Sequence, residues 1–224
     1  MFNVVRTYPA PASLARRNSY RGKDVIEALR SIFHNKCYLC EQDSIADPEV
    51  EHFRPHNDEP DLMYGWDNLY FSCRRCNSIK SNHHVDLLNC SDANLDVFNE
   101  IVHYAGNAAM GEVEIRASKS RPSQQTENTV NLIYRCFNEE GTSLREISKE
   151  SLLERLLEEL AEYSKWRTVL ASRRSTPQKI QEAKEQLTVM CSISYPFSVF
   201  WKWHLLKDVI VTRKYPLIRE ELGF

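Results

Sequence analysis

The sequence predicts an α+β protein, and three observations carry that prediction. Two Cys-x2-Cys pairs, Cys37/Cys40 and Cys73/Cys76, bracket short β-prone stretches and run straight into a helical pattern. Beyond Gly141, leucines and aromatic residues recur every three or four positions, the period of helices that bury one face. Between these regions the signals are brief and mixed. The chain therefore divides into a basic N-terminal segment with the start of a helix (1–30), a cysteine-braced core (31–110) and a mainly helical C-terminal region (111–224).

Pro9 and Pro11 discourage regular structure over the first twenty residues. Lys23 to Phe33 then places Val25, Ile26, Leu29, Ile32 and Phe33 at helical spacing. The core should hold a cysteine knuckle, a strand through Val50–Phe53, a surface loop from Arg54 to Trp66, a strand near Leu69–Ser72, a second knuckle and a helix. Residues 85–140 predict ordered turns near Leu87 and Leu95, a brief strand at Val113–Arg116 and a short helix at Asn128–Phe137. Ser143 with Glu146 fits a capping box, with a restart at Ser148 and a helix to about Ser172. Thr176 caps the next helix, with Pro177 at its first position. Pro196 opens a third, carrying Phe197, Phe200, Trp201, His204 and Leu205.

At 224 residues, with 42% hydrophobic and 27% charged residues, the chain can build a sizeable core. No apolar run approaches the roughly 18–20 residues of a membrane span, and Met1–Arg17 has no secretory h-region. Of seven cysteines, Cys90, Cys136 and Cys191 lack pairing logic and read as reduced thiols of a cytoplasmic protein. The net charge of −2 announces no nucleic-acid binder, but its distribution is uneven. Residues 1–36 hold Arg6, Arg16, Arg17, Arg21, Lys23, Arg30 and Lys36 against Asp24 and Glu27, and Arg74, Arg75 and Lys80 surround the second cysteine pair. Acids gather later, from Glu139 to Glu162. The front end suits a nucleic-acid surface and an ordinary solvated face equally well.

Four thiolates at Cys37, Cys40, Cys73 and Cys76 would fill the coordination of one Zn2+, so that metal should be structural and supply folding free energy. A Cys2His2 site or two separate ribbons compete for the same ligands. A ribbon alone does not explain Glu51-His52 between the pairs, or Asn77-x-x-Lys80 opening the following helix.

The phrases Cys-Tyr-Leu-Cys-Glu, Val-Glu-His-Phe-Arg-Pro, Trp-Asp-Asn-Leu-Tyr-Phe-Ser-Cys and Cys-Asn-Ser-Ile-Lys-Ser-Asn resemble an HNH endonuclease with a zinc-braced ββα-metal core. They are most similar to the HNH subunits of bacterial antiphage systems of the Septu and retron-linked kind, strongly over residues 31–84 and loosely elsewhere. The resemblance implies that His52 is a general base and that Glu51 and Asn77 are oxygen ligands to a catalytic Mg2+ or Mn2+. It implies that Asn68 orients the loop carrying His52, and Lys80, one turn beyond Asn77, would contact a phosphate. Neighbouring strand residues face opposite ways, so Glu51 and His52 need a local turn or must serve opposite sides of the phosphate. The implied substrate is DNA by default, with RNA such as tRNA also within reach. The implied partners are an ATPase subunit and, in the retron-linked branch, a reverse transcriptase with its RNA–DNA. A zinc-dependent binding module that does not cut, and a stand-alone restriction-type nuclease, are the rival readings. His83 and His84 compete for the metal site but read first as polar loop residues, as do His56 and His34, and His103 and His204 read as ordinary polar or core histidines.

Overall fold

Val25, Leu29 and Ile32 bury one stripe of the first helix, α1 (Lys23–Ile32), against the strand pair that follows it. The computed structural model describes residues 1–140 and 148–224. The capping box expected at Ser143 and Glu146 lies outside the described residues. Next come β1 (Glu49–His52), a one-turn helix α2 (Pro60–Met63), β2 (Leu69–Ser72) and α3 (Arg74–Lys80). β1 and β2 pair antiparallel, with Val50 opposite Phe71, Glu51 opposite Tyr70 and His52 opposite Leu69. All four residues of β2 are buried, so this strand is the floor of the unit.

Past the second cysteine pair come α4 (Val97–Glu100), β3 (Ile101–Tyr104), β4 (Glu114–Ala117) and α5 (Gln124–Asn138). The strand expected at Val113–Arg116 is present one residue later, and it pairs antiparallel with β3, which the sequence did not disclose. α5 starts four residues earlier than expected because Ser123 accepts a hydrogen bond from the Thr126 amide and caps it. α6 (Lys149–Ala171) is capped by Ser148, and α7 (Pro177–Cys191) by Thr176, with Pro177 at its first position. α8 (Ser198–Lys207), α9 (Val209–Lys214) and α10 (Ile218–Glu221) complete the chain. The α+β class is thus present, with small antiparallel sheets and a helical C-terminal half. Buried residues from Met1 to Leu222 form one continuous cluster. Among the described residues, no helix is long and apolar enough to cross a membrane.

Candidate metal centre and active site

The first knuckle is folded by its own backbone. The Cys37 amide donates to Gln42 O (3.0 Å) and the Glu41 amide to Cys37 O (2.9 Å), while the Tyr38 amide donates to Phe71 O (3.1 Å) and ties the turn to β2. The second knuckle is the start of α3, where Cys73 Sγ accepts the Cys76 amide at 3.4 Å and caps the helix. The hairpin brings both together: the sulfurs of Cys37, Cys40, Cys73 and Cys76 all lie within 4.8 Å of one another, and all four residues are buried. Tetrahedral zinc with Zn–S near 2.3 Å would set its sulfurs roughly 3.8 Å apart, and Cys40 Sγ and Cys73 Sγ are at 3.9 Å. Burial pushes the Cys40 and Cys76 thiols up, whereas at Cys37 hydrogen bonds from the other three sulfurs outweigh burial and hold its thiol well down. A divalent cation would let all four ionise. The residues fit one structural zinc. Cys136 of α5 is a further thiol that pushes Cys76 up, which cysteine spacing could not disclose. The remaining cysteines, Cys90 and Cys191, are free and buried.

Glu51 and His52 leave β1 on different sides. Glu51 is 6% exposed. Its Oε1 accepts from Lys80 Nζ at 2.6 Å, and the same ammonium donates to His52 O at 2.8 Å. Lys80 is fully buried, so the phosphate contact expected of it gives way to an internal clamp between α3 and β1. Burial raises the Glu51 carboxyl to about 7 against the opposing pull of Lys80. The Asn77 side chain, one turn before Lys80, makes no hydrogen bond among the described residues. The residues that could hold a hard cation are Asn77, through its amide oxygen, and Glu51, through the oxygen that Lys80 does not engage, with the Lys80 ammonium bound to the same carboxylate. Such a cation is ordinarily held by one or two protein oxygens together with substrate phosphate and water. The donor set fits at Asn77, and at Glu51 only against that repulsion.

The basic run around the second cysteine pair is likewise internal. Arg75 is buried, its Nε donating to Cys136 O at 2.9 Å and its Nη2 to Glu139 O, so it satisfies the C-terminal carbonyls of α5. Arg74 pairs with Asp47 (2.7 Å) and Glu49 (3.4 Å). This stretch holds the α3–α5 contact together and does not form an open basic surface.

His52 sits half-buried on the other side of β1. Its Nε2 lies 3.0 Å from Met63 O at the end of α2. A carbonyl only accepts, so Nε2 carries the proton and Nδ1 keeps its lone pair. Burial lowers the His52 pKa from its ordinary value, with the Met63 carbonyl pulling the other way. The ring is therefore neutral near pH 7 and able to accept a proton at Nδ1. Asn68 supports this arrangement from beneath. Its Oδ1 accepts the Arg54 amide (2.8 Å), and its Nδ2 donates to Arg54 O (2.8 Å) and Leu62 O (2.9 Å). One buried amide thus fixes both the exit of β1 and the turn that presents Met63 O. Tyr20 and His56 were not anticipated in this neighbourhood: each ring meets His52 edge-on, with centroids 4.6 Å away. Tyr20 lies 32 positions upstream with no local motif, while His56 follows His52 by four residues and was open to view. His84 accepts from Arg135 of α5 at 2.6 Å, and His103 and His204 are set into the core.

The chain is 42% identical over 74 residues to the Septu protein PtuB of Bacillus thuringiensis. That match covers 31% of this chain and 29% of that protein, so it spans under a third of the curated relative. No protein-family model matches the chain. What stands is a partial likeness to a Septu protein, joined to a four-cysteine cluster that fits zinc.

Proposed function

We propose that this chain is a metal-dependent HNH endonuclease that hydrolyses phosphodiester bonds of nucleic acid, acting in the bacterial cytoplasm as the effector of an antiphage complex. The observation that carries the reading is His52, an imidazole with its tautomer fixed by Met63 O and its Nδ1 without a partner among the described residues, standing on a hairpin whose ends meet at the four-cysteine cluster. His52 Nδ1 takes a proton from the attacking water. Asn68 holds the loop and the carbonyl that set this geometry. A Mg2+ or Mn2+ ion held by Asn77 and Glu51 would supply charge to the phosphate and the leaving oxygen. DNA is the default substrate, since this chemistry needs no 2′-hydroxyl, and a structured RNA such as tRNA is the second. The sequence resemblance to Septu and retron-linked subunits implies an ATPase partner and, in the retron-linked branch, a reverse transcriptase with its RNA–DNA.

The test is cleavage of plasmid DNA and total tRNA by purified protein with Mg2+ supplied and withheld, with His52→Ala alongside. Mg2+-dependent cutting should fall by about 10²–10⁴-fold in the variant. Unchanged cutting by His52→Ala overturns the reading. One observation favours a zinc-dependent binding module instead: the Glu51 carboxylate already has a cationic partner in Lys80. That reading predicts nucleic-acid binding that survives His52→Ala and ignores Mg2+.

A further inference from the structure

We propose that Arg21 and His56 form a phosphate-binding edge beside His52, which grips the nucleic-acid backbone next to the bond that is cut. The inference rests on the endonuclease reading and names residues that no motif contains. It begins with how the N-terminal segment is held. Asp24 at the start of α1 accepts from the Ser13 hydroxyl (2.6 Å) and amide (3.0 Å), and Arg17 pairs with Asp61 of α2 at 2.7 Å. These contacts lay residues 19–22 along β1. Tyr20 then meets the His52 ring, and its centroid is 6.5 Å from that of His56. The Arg21 guanidinium stands 5.4 Å from the Tyr20 ring and 3.2 Å from Glu49 Oε2 at the other end of β1.

The two polar groups have what a phosphodiester needs. Arg21's side chain is 56% exposed, and among the described residues its one ion pair is to a carboxylate shared with Arg74. A guanidinium has five N–H donors in a rigid fork, so most of Arg21's are left for a second anion. His56 Nδ1 accepts the Asp58 amide at 3.0 Å, which places the proton of the neutral ring on Nε2. Among the described residues nothing accepts from that Nε2. A partly exposed N–H donor therefore flanks the base, with a half-exposed guanidinium nearby.

Of the other front-end cations, Arg16 is exposed with no side-chain partner among the described residues, and the rest are engaged. Arg6 lies over Tyr70, Trp66 and Phe33, with centroids 4.6–5.7 Å away. Arg30 donates to Asn35, Lys23 pairs with Glu27, and Lys36 is fully buried against Glu41. Non-bridging phosphate oxygens, which accept from fork and imidazole donors alike, are the ligand chemistry that suits this edge.

Binding, measured apart from cutting, tests the proposal. In a His52→Gln background of the full chain, fluorescein-labelled duplex DNA and an RNA hairpin are titrated across a salt series, with zinc content confirming that each variant is folded. Arg21→Gln should lower the slope of log K against log salt by about 1 on the nucleic acid that serves as substrate. His56→Ala should weaken binding, and His56→Gln, which keeps an N–H donor, should restore it. The two arms also identify which backbone the edge takes. Unchanged slope and affinity in Arg21→Gln and His56→Ala, or no binding to either probe, overturn the proposal. If Arg21→Gln shifts the slope but wild type never cuts, the edge stands and the endonuclease reading falls. If wild type cuts and Arg21→Gln binds as before, the reverse holds.

Discussion

In the hairpin–helix unit, the charged Arg75 and Lys80 join Tyr70 and Phe71 among the largest fully buried side chains, while in α6 and α8 the large buried side chains are Leu152, Leu156, Tyr163, Phe200 and Trp201. The unit has two four-residue strands and a seven-residue helix from which to build an interior. Its buried charges are accordingly matched one by one: Lys80 to Glu51 and His52 O, Arg75 to the end of α5, four sulfurs to one another. The helical half stacks rings, Tyr163 on Trp201 at 5.4 Å and Phe137 against Phe200 at 5.3 Å. Matched charges fix a unique arrangement but leave large penalties when one member is removed. Ring and leucine packing spreads its stabilisation over many small contacts.

The largest effect that would test this contrast is loss of zinc. Cys73→Ser removes a thiolate ligand while leaving a hydroxyl able to cap α3, and structural zinc contributes on the order of 10–16 kcal/mol in small zinc domains. Hydrogen-exchange protection should disappear over residues 37–80 while α6–α8 keep theirs. Equal loss in both regions would erase the distinction. Next in size is the clamp. Lys80→Met leaves Glu51 buried without its partner and should cost about 3–5 kcal/mol by denaturant unfolding. The double variant Lys80→Met/Glu51→Gln should recover much of that, and simple additivity would deny the pairing. The smallest effect belongs to the helical half. Burial lowers the His204 pKa to about 4, while Asp208 pulls it up, and its Nε2 accepts the Ala105 amide at 3.1 Å. The folded state keeps this ring neutral, so its stabilisation is complete above about pH 6.5 and drains away as pH falls towards 4. The span is on the order of 2–3 kcal/mol. His204→Gln should flatten the stability profile across that window, and an unchanged profile would remove His204 from the account.

Local chemistry is what the sequence disclosed best. Ser148, Thr176 and Pro177 announce their helices because a cap acts within four residues, and β2 was read to the residue from an apolar run ended by a cysteine knuckle. β3 escaped because Ile101–Tyr104 is too short to show a period, and its pairing with β4 crosses an intervening loop. The site divides the same way. Cys37, Cys40, Cys73 and Cys76 declare themselves by spacing. Whether Lys80 faces solvent or Glu51 depends on how α3 lies across β1, and Tyr20 reaches His52 only because Asp24 and Arg17 pin its segment. Charge counts failed for a related reason: Arg6, Lys36 and Arg75 look like surface cations in one dimension and are interior partners in three.

Cys40 and Cys73 stand 33 positions apart and meet at 3.9 Å. Glu51, His52 and Asn68 therefore lie within a length of chain whose two ends are held by the same cluster. A protease that severed the peptide between Arg54 and Trp66 would leave two fragments still joined through the sulfur cluster and the β1–β2 ladder. Continuity of the backbone and integrity of the sulfur cluster are separable in this fold.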